Sequence, residues 1–475
     1  LIEESDRRSR TEVVEPPATL LAALGHIGPG LILAGAIVGT GELIATTNAG
    51  ARTGFALLWL VLVSCFIKVF VQVELGRYAI ASGQPTFTAF RSLPGMGPVV
   101  VAWCALMIVT TMTQVGAMAG GVGQALHILA PGATAALAQG LSAVWPAAGE
   151  TVRTMPELPW AVLTTLVTIG LLSTGSYALV EKGTTALVVT FTFVTIAIVV
   201  FLPPGASIRP IDVMQGLTFH IPAGAAVAAF TMFGITGVGA TELLAYPYWC
   251  VEKGYARAVG PRSDDPAWAT RALGWIRVLR LDAWASMVLY TVSTLAFYLL
   301  GAAILHGRTD GKGLPDDIDG VIRTLATMYE PVLGPRRALG FLVLGAFAVL
   351  YSTFYAATAA NARMLTDFLR VNRLIDPDSE SARRLWIRRL GALLPALAFG
   401  IYLVVRNPVL LVTIGGMMQA VTLPVIALAA VFLRYRRLDR RLQPGRAWDI
   451  MLWLSLLGLS LAATYSIWKV VWGRA

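Results

Sequence analysis

The chain has 475 residues, of which 56% are hydrophobic and only 13% charged, and its formal net charge is +10. Soluble proteins carry about 25% charged residues, so a water-soluble enzyme or binding domain of this length is excluded and a single polytopic membrane domain is expected. The positive charge lies between apolar runs rather than on a soluble surface, which argues against a nucleic-acid partner and makes the charge a marker of sidedness.

Residues 1–24 read as a polar cytoplasmic tail without a cleaved signal, because the apolar run that follows is too long for a secretory segment. With about 20 apolar residues needed per crossing, the sequence predicts an all-α bundle of about eleven spans. They cover 25–48, 55–80, 98–129, 160–179, 184–203, 223–250, 283–306, 338–365, 390–405, 408–433 and 448–471. Continuous runs of this length are not the short alternating strands of an outer-membrane barrel. Cys65, Cys104 and Cys250 fall inside apolar stretches and are expected as buried thiols.

With the N-terminus cytoplasmic, the linkers after even-numbered spans carry most Lys and Arg, as the positive-inside rule requires. Three stand out, with Arg257, Arg262, Arg271 and Arg277; with Arg370 to Arg389; and with Arg434, Arg436, Arg437, Arg440 and Arg441. They are expected to fix topology and to touch anionic lipid. Trp386 and Trp448 fit an interfacial belt, and Arg363 is expected at the cytoplasmic interface. On the other side, Asp310, Asp316, Asp317 and Asp319 form either a solvated loop or an acidic vestibule that concentrates cations. The last span ends close to Ala475, so no soluble output domain is expected after it.

A repeat appears when the chain is slid by about 200 residues. Gly39-Thr40-Gly41-Glu42-Leu43-Ile44-Ala45 lies over Gly239-Ala240-Thr241-Glu242-Leu243-Leu244-Ala245, and Gly54-Phe55-Ala56 over Gly254-Tyr255-Ala256. The copies fall in spans one and six; five crossings separate them, so the second is inverted. Paired interrupted helices of this kind mark the midplane site of inverted-repeat transporters. Gly35, Gly39 and Gly41, and Gly234, Gly237 and Gly239, each weaken a helix by about 1 kcal/mol relative to Ala. They serve either unwinding around a cavity or close packing of small residues. Glu42 and Glu242 favour the cavity, since a mid-membrane carboxylate costs at least ~2.5 kcal/mol and faces a pathway or a partner.

Gly28-Pro29-Gly30, Gly39-Thr40-Gly41-Glu42, Ala49-Gly50-Ala51 and Gly54-Phe55-Ala56-Leu57-Leu58-Trp59 together resemble the first two helices of the Nramp metal-ion transporters. Gln419-Ala420-Val421-Thr422-Leu423-Pro424 is similar to that family's Gln-containing segment before Leu-Pro. The resemblance implies a 5+5 inverted-repeat, leucine-transporter-type fold with helices one and six unwound. Repeat one would cover about 25–203, repeat two about 223–433, and an extra helix about 447–472. It also implies a monomeric carrier in the cell (inner) membrane that works by alternating access, needs no cofactor and takes a divalent metal ion as its ligand.

The departures from the family shape the expected site. The family's Asp-Pro-Gly-Asn falls on Gly39, Thr40, Gly41 and Glu42, and its Met-Pro-His on Val238, Gly239 and Ala240, so the aspartate, the thioether and the imidazole are all missing. A site of Glu42, Glu242, Thr40, Thr241, Gln419 and carbonyls freed near Gly39, Gly237 and Val238 is all oxygen. Oxygen ligands suit hard cations, Mg2+ first and Mn2+ second, over Fe2+. This is similar to the divergent Nramp-related magnesium transporters. The helix-three acids of the family fall near Thr111 and Gln114, which do not titrate, so proton coupling is not expected.

Three further charges are coupling or gating candidates: Lys68 near the middle of span two, Glu74 nearer that span's cytoplasmic end, and Asp282 at the start of span seven. Lys68 is either functional or a residue that snorkels or pairs with an acid. If it neutralised Glu42 or Glu242, the alternative would be a carrier of a small organic solute, with Lys68 in place of a coupling ion and Tyr246 or Tyr248 at the substrate. Glu74 and Arg77 have the spacing of a local pair. Asp282 is expected to pair with Arg280 or with a neighbouring helix. His26, His127, His220 and His306 are scattered near span ends and are not expected to bind metal.

Overall fold

A solvent that cannot satisfy backbone N–H and C=O groups leaves the helix as the element open to a long apolar run. The structure, a computed structural model, describes residues 13–30, 39, 41–174, 178–206 and 208–472, and among them are helices and no strand. A π-turn, Gly41–Thr46, leads into α1, Thr47–Thr53. Then come α2, Leu58–Ser82; α3, Gly97–Leu129; α4, Pro131–Val144; α5, Pro146–Thr154; α6, Leu158–Thr174; and α7, Ala178–Val200. The second half contains α8, Ala226–Ile235; α9, Ala240–Glu252; α10, Pro266–Leu300; α11, Pro335–Val371; α12, Glu380–Val405; α13, Pro408–Arg436; and α14, Arg446–Trp472.

Among the described residues, eight runs are long and apolar enough to cross a membrane, α8 and α9 counting as one, and the pair α5 and α6, bent by 93°, makes a ninth. α7 holds a shorter apolar stretch, Leu187–Val200, where span five is expected, and most of the first expected span lies outside the described residues. Three boundaries differ from expectation. α10 begins at Pro266 and α12 at Glu380, well before their apolar stretches, because Asp265 and Ser379 cap them by accepting from the backbone N–H of Ala267 and Ala382. Arg271 and Arg277 therefore lie on a helix rather than in a linker. The stretch between spans three and four, expected as a plain linker, folds into α4 and α5.

α3 is the central helix, packed against α11, α12 and α13, while α2 packs on α9 and α10. The repeat is visible in the backbone. Leu43 N–H donates to Gly39 O at 3.0 Å and Leu243 N–H to Gly239 O at 2.9 Å, so the same bond closes the first turn of each copy. Gly54 and Gly254, one repeat apart, both have positive φ, +57° and +92°.

Where α2, α13 and α14 meet, buried charge is paired. Glu74 accepts from Arg77 at 3.1 Å and from Arg434 at 3.2 Å, and Arg434 also binds Asp449, tying α2, α13 and α14 together. Glu74, Arg77 and Arg434 are all buried. Arg434 is thus not the exposed topology determinant expected of its linker, because two carboxylates compensate its desolvation. Trp448, expected in an interfacial belt, is covered by protein, under the Arg77 and Arg280 guanidinium groups, 5.8 and 5.2 Å from its ring. The three cysteines are buried and free, as expected. Arg363 pairs with Glu252 at 3.1 Å over the face of Trp249.

Candidate cation site at the break of span six

α8 stops where Thr236 N–H donates to Met232 O at 2.8 Å. Gly237 then takes φ +66°, a conformation that side chains with a Cβ resist, and Gly239 leads extended into α9. The break leaves the carbonyls of Phe233 and Thr236 without the next turn of helix. α2 supplies the partners: Lys68 Nζ donates to Phe233 O at 2.5 Å and to Thr236 O at 2.7 Å, with Ser64 Oγ on the same two oxygens at 3.3 and 3.5 Å. The ammonium also lies 5.1 Å from the Phe233 ring. Lys68 is fully buried, and among the described residues it has no carboxylate partner. It neither snorkels nor neutralises Glu42 or Glu242, contrary to both of its structural expectations. Gln72, one turn on, is buried with both amide atoms unpartnered.

An alanine at 237 would need the left-handed backbone and would also bring its Cβ to 3.1 Å from Cys65 Sγ. We expect Gly237→Ala to destabilise the protein by about 1–2 kcal/mol, seen as a lower midpoint in detergent thermal unfolding. An unchanged midpoint would mean that Gly237 is not what sets the break.

The two repeat acids occupy corresponding turns, Glu242 directly after the break at Gly237 to Gly239. Glu42, in the π-turn, is fully buried; its Oε1 accepts from Thr294 Oγ1 of α10 at 3.1 Å, and its Oε2 has no partner. Glu242, in the first turn of α9, is half-buried. Gly239 keeps space beside it, since a Cβ there would meet Gln419 Oε1 at 2.5 Å and the Glu242 carboxylate more closely still. Gln419 reaches across from α13: its Oε1 accepts from Thr241 N–H at 3.2 Å and its Nε2 donates to Gln114 Oε1 at 3.0 Å. Glu42, Glu242 and Lys68 are near enough to feel one another's charge.

The structure therefore brings Glu242, Thr241, Gln419 and Gly239 together, with Glu42 nearby. Gly39 is fitted against Thr353, whose Oγ1 would stand 2.7 Å from an added Cβ. Val238 is buried in the break and Gly237 faces Cys65. Thr40 and Gly35 lie outside the described residues. Gly234 packs on α13, where its added Cβ would meet Ala420 N at 2.9 Å, so it serves close packing. Among the described residues no three His, Cys, Asp or Glu are grouped to hold a metal. A cation here has at most two carboxylates, completed by neutral oxygens. Thr294, Ser64, Thr353 and the amide link to Gln114 were not singled out as site residues; each is an ordinary polar residue in an apolar helix, and its partner is far away in sequence.

A separate cavity of about 250 Å3 is bounded by Ile44, Asn48, Arg52, Thr231, Asp316 and Asn407. Of Asp310, Asp316, Asp317 and Asp319, Asp316 lines this cavity and accepts from Asn407 Nδ2 at 3.0 Å. Asp317 caps a short helix, Ile318–Ala326, and Asp319 binds Arg323 and Gln124, each at 2.6 Å. Most of the acidic loop is thus a paired surface rather than an open vestibule.

Asp282 holds the start of the first span. It accepts from Gly28 N–H at 2.9 Å, from Gly30 N–H at 2.5 Å and from Tyr246 OH at 3.1 Å. Its partner is a neighbouring segment, as one expectation had it, and not Arg280. Tyr248 OH is likewise engaged, donating to Asp367 at 2.7 Å. Because Asp282 touches none of the site residues, we expect Asp282→Ala to lower maximal transport several-fold while leaving the half-saturating ion concentration within about twofold. Concentration-dependent uptake into liposomes checks this, and a rise in the half-saturating concentration alone would contradict it.

A family model described as natural resistance-associated macrophage protein-like, Nramp, matches residues 30–469. The chain belongs to the Nramp family. It is similar to the divalent metal cation transporter MntH of Deinococcus radiodurans, 24% identical over 460 residues that make up 96% of this chain and 92% of the relative. It is also similar to MntH of Chromohalobacter salexigens, 24% identical over 376 residues, 78% of this chain and 74% of that one. Among solved structures, a variant of the Eremococcus coleocola manganese transporter shares the fold with a TM-score of 0.65 at 16% identity, covering 98% of this chain and 92% of the other. As an Nramp protein it is a multi-span membrane transporter with the 5+5 inverted-repeat fold.

Proposed function

We propose that this Nramp protein carries a hard divalent cation, Mg2+ first and Mn2+ second, by alternating access across the cell (inner) membrane, with its N-terminus cytoplasmic and as a monomer. The observation that carries the reading is the unpartnered, fully buried Oε2 of Glu42. A buried acceptor without a donor is costly, and a cation shared with Glu242, Gln419 Oε1 and Thr241 would satisfy it. This donor set is neutral and anionic oxygen only, which favours Mg2+ and Mn2+ over softer ions. The names of the curated relatives support divalent metal, and that of the solved relative supports manganese.

Transport in this reading is not proton-coupled, because Thr111 and Gln114 do not titrate and Gln114 is engaged with Gln419. Voltage then drives uptake, at about 2.3 kcal/mol per charge for 100 mV and so about 4.6 kcal/mol for a divalent ion. The organic-solute reading gains little, since Lys68 leaves both acids un-neutralised and the hydroxyls of Tyr246 and Tyr248 are bound to Asp282 and Asp367. The test is Mn2+ and Mg2+ entry into proteoliposomes at set membrane potentials. Entry that rises with inside-negative potential and is indifferent to a pH gradient is expected; absence of both fluxes in the intact protein would overturn the proposal.

A further inference from the structure

A cavity of about 830 Å3 opens at the arginine-rich end of the bundle, far from the acids. Its walls come from the end of α2, at Tyr78, Ser82 and Gly83, from the segment after α9, with Arg257 and Arg262, and from Arg437 to Asp439 after α13. One wall is rigidly built. Arg262 binds Asp439 at 3.1 Å, Arg441 binds the same carboxylate at 3.0 Å, and Arg441 Nη2 donates to Ser263 O at 2.8 Å, so the two linkers are clamped together. The Arg441 hydrogen bond, with Arg262 beside it, holds the Asp439 carboxyl down at about 2. A depressed carboxylate contributes its stability above the ordinary carboxylate range and loses it only as pH falls toward that value, so the clamp persists through neutral pH.

Arg262 and Arg441 thus share one carboxylate, whereas Arg257 and Arg437 have none among the described residues. Both are exposed, and neither has a carboxylate partner among the described residues; Arg437 Nη2 donates only to Ser92 O, at 3.0 Å. Ile80, Leu438 and Trp268 add apolar surface to the same cavity lining. The volume lies within the ~300–1,000 Å3 of small-ligand sites, and planar guanidinium forks match the oxygens of phosphate.

We propose that this cavity is a binding site for a phosphate-bearing anion, held by Arg257 and Arg437. The ligand bridges the end of α9 to the end of α13. α9 carries Glu242 and α13 carries Gln419, so occupancy links the two helices that frame the cation site. The chemistry is that of a phosphate ester, from either a membrane lipid headgroup or a free metabolite.

The experiment is native mass spectrometry of the full, delipidated protein in detergent, titrated with phosphatidylglycerol, phosphatidylcholine and sn-glycerol 3-phosphate. It compares the wild type with Arg257→Gln/Arg437→Gln and with Arg384→Gln/Arg388→Gln, an exposed pair on α12 outside the cavity. We expect one tightly retained anionic ligand whose affinity falls about tenfold or more in the first double variant and stays within about twofold in the second. Loss confined to phosphatidylglycerol assigns the site to lipid; loss for glycerol 3-phosphate as well assigns it to a free phosphate ester. Equal weakening in both double variants, or no weakening in the first, would overturn the proposal. Thermal midpoints equal to the wild type in both variants show that the comparison is between folded proteins.

Discussion

Glu42→Gln and Glu242→Gln are each expected to reduce Mn2+ and Mg2+ flux into proteoliposomes by about a hundredfold at subsaturating ion. Each substitution keeps size and removes one of two negative charges from a site with few other donors. Losing about 2.7 kcal/mol of ion binding is a hundredfold, a modest loss for a charge-assisted contact in a dry environment. The two should differ in a second readout. Glu42 is fully buried with one oxygen unpartnered, whereas Glu242 is half-buried and borders Gln419. Glu42→Gln therefore relieves a desolvated charge and should raise the ion-free thermal midpoint, while Glu242→Gln should leave it nearly unchanged. Calorimetry with Mn2+ gives the direct check, and binding that survives unchanged in Glu42→Gln would move the site elsewhere.

Much of this architecture can be read from residues alone, because the bilayer narrows the choices. Apolar runs have to be helices, and a charge in such a run needs a reason; that is why Glu42, Glu242 and Lys68 were singled out, and all three lie about the broken repeat. The offset of 200 residues was legible too, since it fixes the backbone as well as the side chains at Gly39 and Gly239 and at Gly54 and Gly254. What escaped the sequence was partnership. Arg434 looks like one more linker arginine until α14 folds back to place Asp449 beside it, and Asp282 shows no sign of its two backbone donors 252 and 254 residues away. The early starts of α10 and α12 were missed for another reason: apolar content marks the membrane's thickness, not the helix, which continues into water wherever a cap and surface charges support it.

Lys68→Met should separate two roles of the ammonium that the wild type combines. Lys68 satisfies Phe233 O and Thr236 O at 2.5 and 2.7 Å, oxygens that the break in span six frees. Methionine fills similar space but donates nothing, and each buried acceptor left alone costs about 1–3 kcal/mol, so the ion-free thermal midpoint should fall by several degrees. The second role is electrostatic. A fixed positive charge near Glu42 and Glu242 opposes an incoming cation; at about 10 Å and an effective dielectric of 20 the repulsion is on the order of 1.7 kcal/mol per unit charge, and twice that for a divalent ion. Removing it should strengthen Mn2+ binding by about tenfold or more, so the midpoint shift on adding Mn2+ becomes larger in Lys68→Met than in the wild type. Maximal flux should nevertheless fall, because an ion held more tightly leaves more slowly and because the break has lost its support. Lys68→Arg, which keeps the charge and the donors, should retain the wild-type shift. A Mn2+-induced shift that is smaller in Lys68→Met would show that the ammonium acts only by holding the cavity in shape, and that the charge balance at the acids does not include it.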